Sequence, residues 1–232
     1  MSNKLYDNDQ IGVVASFSEL TETDFHGNTN ALCWYRKLKG DFEEIVSKLH
    51  LAENIMEISA DDLLALRLSE AGDMARKIIL NDLKCLTASG ASPVLNLLRC
   101  YERDEELDFF STDVYSFHVD RSPIATDTFL CTYYGAASEI IPNDQVEQKV
   151  LITEIRKKLK ALHDGGEPDF EEFLKDFFFD LHYQPKPGAV PVSLETGHLW
   201  RLAVHHPEQK VLPCVHRAPV EKQGEYRLLL IC

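Results

Sequence analysis

The chain contains no apolar run approaching the roughly 18 to 20 residues that a bilayer-spanning helix needs, and its start, MSNKLYDNDQ, lacks the apolar stretch of a secretory leader. A long basic run is missing as well. Lys and Arg number 24 against 38 Asp and Glu, a formal charge of −14. Phosphate backbones and anionic membranes are electrostatically unfavourable partners for such a chain. The expectation is a soluble, cytoplasmic protein with no membrane partner, for which nucleic acid is not an expected ligand. The six cysteines (33, 85, 100, 131, 214 and 232) form no CxxC pair and no zinc-finger or disulfide spacing, so reduced and mostly buried thiols are expected. GxSxG, P-loop, HExxH and a strand-borne GxGxxG are all absent, which leaves hydrolase and kinase readings without a foothold.

What is present has two textures. A chain of 232 residues can bury one sizeable core. In residues 41–50, DFEEIVSKLH, Phe42, Ile45, Val46 and Leu49 share one helical face and Asp41 is placed to cap it. ISADDLLALRLSEAGDMARKIILNDLKCL reads as one or two helices that start at Ser59, with Gly72 as the break. Residues 1–92 are therefore expected to be mainly helical. From Pro93 onward PVLNLLRCY, TDVYSFHV and TDTFLCTYY are short, branched and aromatic, as strands are. GAVPVSL, HLWRLAV, KVLPCVH and EYRLLLIC repeat that pattern after the turn QPKPG. Between the two groups, DQVEQKVLITEIRKKLKALH and DFEEFLKDFFFDLHY carry helical periodicity, a helical insertion at about 142–185. Seven or eight strands suit a two-sheet jelly roll over 93–232. The expected fold class is α+β, a double-stranded β-helix with N-terminal helices.

The segment FHVDRSPIATDTFLCTYYG raises the question of a metal. A His-x-Asp pair on an extended strand points both side chains to one face. By itself the pair is weak, since nine His and 38 acidic residues give roughly 1.5 His-x-acid pairs by chance. The chain has His118/Asp120 and His206/Glu208. Only the first has a partner: His216 follows about a hundred residues on, and Arg227 lies beyond it on the last expected strand. Two histidines and one carboxylate are the ligand set of non-haem Fe(II) oxygenases, and they leave positions open for oxygen and a bidentate co-substrate.

This arrangement resembles the HxD...H...R pattern of the Fe(II)/2-oxoglutarate-dependent oxygenases, over roughly residues 93–232. As a whole the chain also resembles a bacterial family of uncharacterised proteins. The superfamily resemblance implies that His118, Asp120 and His216 hold Fe(II), and that Arg227 binds the distal carboxylate of 2-oxoglutarate with its planar fork. It further implies oxidative decarboxylation of that co-substrate to succinate and CO₂, coupled to oxidation of a substrate C–H bond. The pair Tyr133–Tyr134 follows at a spacing similar to the prolyl-hydroxylase branch, which implies a 2-oxoglutarate contact for Tyr134. Leu130, where that branch has Thr, and the longer spacing to Arg227 depart from the branch pattern.

The alternatives are a non-catalytic zinc-binding or sensing protein that adds Cys214 as a ligand, and a cupin-like metal enzyme that needs no carboxylate anchor at Arg227. Arg201 is balanced between anchoring a substrate carboxylate and a structural ion pair, and His205 and His206 are expected to be solvated or to support the ligands. The substrate, a small molecule or a protein side chain, stays open, as does the oligomeric state.

Overall fold

The computed structural model describes residues 8–220, 222 and 224–232; residues 1–7, where a leader was sought, lie outside them. The first stretch alternates strands and helices: β1 (Ile11–Val14), α1 (Phe17–Glu22), β2 (Ala31–Trp34), α2 (Phe42–Lys48), β3 (Ile55–Glu57), α3 (Ala60–Ala65) and α4 (Glu70–Ala88). Next come β4 (Val94–Leu98), β5 (Phe117–His118), β6 (Asp127–Tyr134), β7 (Glu139–Ile140) and β8 (Val146–Gln148). The chain continues through α5 (Thr153–Ala161), α6 (Glu167–Asp176), β9 (His182–Pro185), β10 (Val192–Ser193), β11 (Leu199–Ala203), β12 (His216–Arg217) and β13 (Arg227–Ile231).

The N-terminal helices begin where side chains satisfy free backbone donors. Asp41 accepts from the Glu44 amide, Ser59 and Asp62 form a reciprocal capping box, and Ser69 accepts from the Gly72 amide. Gly72 is therefore an early residue of α4, and the break falls at 66–69 instead, between α3 and α4.

The strands form two sheets, in the orders β1-β2-β11-β6-β13-β4-β3 and β10-β7-β12-β5-β9-β8. All pairs are antiparallel except β1 with β2. Four pairings join strands distant in sequence or nested within one another: β4 with β13, β5 with β12, β6 with β11, and β7 with β10. The sheets pack face to face through Leu98, Leu130, Trp200 and Leu229 from the larger and Ile140 and Cys214 from the smaller. The outer face of the larger sheet is covered by the helices, with Ile45, Leu63, Ile79 and Leu86 against Cys131, Leu228 and Leu230. The molecule is thus α+β, with a helical layer on two stacked sheets. Among the described residues no helix is long and apolar enough to cross a membrane.

Two expectations change. Residues 1–92 supply the four helices and also β1, β2 and β3, which extend both ends of the larger sheet. The insertion is not α-helical throughout: Val146–Gln148 is a strand paired with His182–Pro185, flanked by single 3-10 turns at Asn143–Gln145 and Lys149–Leu151, and α-helix begins at Thr153. Val146 and Val150 fit a helical period by spacing, but pairing with a strand some forty residues away overrides local preference. Through β9 the insertion joins the edge of β5 directly.

Candidate metal centre

β5 and β12 lie side by side with His118 directly opposite His216. Residues on alternate sides of these strands divide cleanly. Phe117, Val119 and Val215 pack on the outer face of the smaller sheet, so His118 and His216 point inward, between the sheets. Asp120, two residues past His118, returns to the same side. The ligand atoms of His118, Asp120 and His216 all lie within 4.8 Å of one another, with Asp120 Oδ2 at 3.7 Å from His216 Nε2.

The surroundings hold these groups in place. His118 Nδ1 lies 2.7 Å from the Ser116 carbonyl and His216 Nδ1 lies 3.1 Å from the Cys214 carbonyl. A carbonyl only accepts, so each Nδ1 carries a proton and each ring turns its Nε2 edge away from that carbonyl, the orientation that supports imidazole ligands in metal sites. Burial and the neighbouring His216 push the His118 pKa down to about 4. Burial opposes the charge of Asp120, but His216, the Thr128 hydroxyl and His118 together hold its carboxyl below the ordinary value. The backbone of Asp120 is pinned as well: its carbonyl accepts from the His205 amide at 2.9 Å, and Arg121 pairs with Asp180 of the insertion. Two imidazoles and one carboxylate, oriented in advance, fit a divalent transition metal and leave part of its coordination sphere for other ligands.

The remaining expected residues fall on different sides of the larger sheet. Arg227, 1% exposed, shares the inter-sheet side of β13 with Leu229, and its guanidinium donates to the hydroxyls of Ser138 at 3.1 Å and Thr132 at 3.4 Å. Tyr134 lies on the other side, opposite Leu228 and packed against the helical layer. The cause is a bulge: Leu229 pairs with Thr132 while Leu228 pairs with Tyr134, so one extra residue in β6 reverses the alternation. Arg201 also faces the helices. It pairs with Asp127 at 2.7 Å and donates to the carbonyls of Leu20, Thr21 and Thr23 at the end of α1, which gives it a structural role.

His205 is exposed and contributes through its backbone, and the His206 ring accepts from the Glu208 amide. Cys214 is buried, its thiol pushed far up by burial and by Asp120. Among the described residues the metal-competent group comprises the three residues named and does not include it.

One inward-facing residue had no sequence signal. His182 on β9 stands directly opposite His118, with the two ring centroids 5.7 Å apart. No His-x-acid spacing marks it, and it falls at the end of a segment whose apolar period is helical.

An α+β protein with an inward His₂-carboxylate group is the class these observations define. The chain belongs to the family described as "Protein of unknown function (DUF1826)", whose model matches residues 18–232. No curated protein and no solved structure matches it.

Proposed function

We propose that the protein is an Fe(II)- and 2-oxoglutarate-dependent oxygenase. The observation that carries the reading is the convergence of His118, Asp120 and His216 in the space between two sheets, with both Nδ1 atoms committed to carbonyls. The strand order supports it. Numbering β4, β5, β6, β7, β10, β11, β12 and β13 from one to eight, the pairs are 1 with 8, 2 with 7, 3 with 6 and 4 with 5. That nesting of pairs across two antiparallel sheets is the order expected of a double-stranded β-helix, which supports the reading.

In this reading the three residues hold iron, and Arg227, on the inward side of β13 among the Thr132 and Ser138 hydroxyls, binds the distal carboxylate of the co-substrate. Iron with 2-oxoglutarate supplies the oxidising power for a C–H bond, and the chain supplies position and a space shielded by the sheets. Thr128 keeps the Asp120 carboxylate aimed inward. Tyr134 has no part in the scheme.

Anaerobic titration of metal-free protein with Fe(II) and then 2-oxoglutarate should produce the weak visible charge-transfer band of the chelate. His118→Ala should abolish it. Arg227→Met should keep Fe(II) binding and need at least about tenfold more 2-oxoglutarate. Tight Zn(II) binding with no chelate band at any 2-oxoglutarate concentration would replace the enzyme with a metal-binding or sensing protein. A metal-dependent activity that survives in Arg227→Met would point to a cupin-like enzyme without this co-substrate.

A further inference from the structure

The smaller sheet carries three imidazoles in one row. His182, His118 and His216 occupy directly opposed positions on β9, β5 and β12, with ring centroids 5.7 Å and 4.5 Å apart. Tyr183 packs on the outer face with Phe117 and Val119, so His182 faces inward with the other two. The polar groups of the row differ in one respect. His118 and His216 each give Nδ1 to a carbonyl and Asp120 accepts from Thr128, whereas His182, only 4% exposed, has a buried Nδ1 with no hydrogen-bond partner among the described residues. A buried, unsatisfied donor or acceptor is costly and is ordinarily retained for a partner. The Phe110 ring stands nearly perpendicular to the imidazole, with centroids 6.0 Å apart, and a phenyl ring offers no conventional acceptor.

Among the described residues His182 is also outside the metal-competent group, whose ligand atoms are those of His118, Asp120 and His216. An imidazole beside such a group, on the same face but not within it, is placed to touch whatever fills the coordination positions that the protein leaves open. We propose that His182 is a ligand-contact residue of the metal centre, hydrogen-bonding an exogenous oxygen- or nitrogen-donor anion bound beside the metal. The proposal rests on the metal-binding reading of the triad and is independent of whether the co-substrate is 2-oxoglutarate. It gives the insertion a role, since β9 is the strand it lays against β5.

The test uses Co(II), whose visible bands report its ligands, and azide as the exogenous anion, with the full chain. Wild type should bind Co(II), and azide should change the spectrum saturably. His182→Phe should bind Co(II) within about threefold of wild type but need about tenfold more azide, while His182→Gln, which keeps a hydrogen-bonding group, should recover most of that loss. If His182→Phe loses Co(II) as His118→Ala does, His182 is a ligand and the proposal falls. If its azide affinity equals that of wild type, His182 is a core imidazole and the proposal falls. Failure of the wild type itself to bind Co(II) would instead remove the metal reading and this proposal with it, so the two failures are distinguishable.

Discussion

Burial holds His118 and His182 neutral, and the acid limb of the stability curve should record it. In the unfolded chain each imidazole takes up its proton near the ordinary value of about 6.5. In the folded chain burial and His216 delay this to about 4 for His118, and burial, His118 and Lys149 delay it to about 3 for His182. Across that window the unfolded state binds more protons, so stability rises with pH and is lost as pH falls below about 6.5. The urea midpoint of metal-free protein should drop between pH 7 and about pH 5, and His182→Phe should shallow that drop by removing one of the two sites. An unchanged slope would mean that His182 already takes up its proton in the folded state. A second residue-scale expectation concerns Asp120, whose carboxylate is aimed by the Thr128 hydroxyl across the gap between the sheets. Thr128→Val keeps the shape and deletes that bond, and should weaken Co(II) binding about tenfold with little change in fold. Isothermal titration with near-UV circular dichroism on the same sample separates the two effects.

At the scale of elements, α4 is fastened to the larger sheet by a buried ion pair. Asp82, 2% exposed, accepts from Arg36 at 2.6 and 2.8 Å and from the Tyr133 hydroxyl at 2.6 Å. Asp82→Ala would leave Arg36 buried without its carboxylate, and should destabilise the protein by about 3 to 5 kcal/mol in urea unfolding. A loss under about 1 kcal/mol would mean that the helical layer is held by its apolar contacts alone. Most of this layer was legible, because caps and helical period are local signals, and Asp41 and Ser59 sit where the pattern begins. Six of the seven strand-like segments from Pro93 onward likewise contain a strand, while KVLPCVH reaches one only at its last residue, His216, branched residues and turn material being local signals too. The failures share a physical cause. β8 and β9 exist through pairing with each other and with β5, so their helix-compatible sequences were outvoted by long-range hydrogen bonds. Tyr134, which only the family resemblance offered as a co-substrate contact, packs on the helical side of β6, where a bulge beside Gly135 interrupts the alternation. Gly135 has φ +85°, and a Cβ there would stand 2.2 Å from the Tyr226 carbonyl oxygen, so the local path that leads to Arg227 admits no side chain. The site triad was legible from spacing and residue type. His182 was not, because what makes it notable is its register against His118.

The whole molecule explains why ligands about a hundred residues apart meet. Pairing of β4 with β13 and of β6 with β11 builds one sheet from the start and end of the C-terminal region, and the same folding back lays β12 on β5 in the other. The ligand atoms are close only when β5 and β12 have paired, so an unfolded chain has no comparable site, and metal binding must stabilise the folded state by mass action. Metal at a free concentration of about 100 times its dissociation constant contributes about 2.7 kcal/mol, which for a chain of this size corresponds to a rise in Tm of about 5 to 10 °C. Differential scanning calorimetry of metal-free protein with Co(II) or Zn(II) added at pH 7.5 should show that rise. His216→Ala and Asp120→Asn should each remove most of it while leaving the metal-free Tm close to wild type, because the Asp120 side chain is 36% exposed and the His216 ring donates to the Cys214 carbonyl only two residues before it. The rise should also shrink as pH falls, since protons compete for the ligand imidazoles. An equal rise in wild type and both variants would place the metal elsewhere on this acidic chain and separate the inward triad from any metal function.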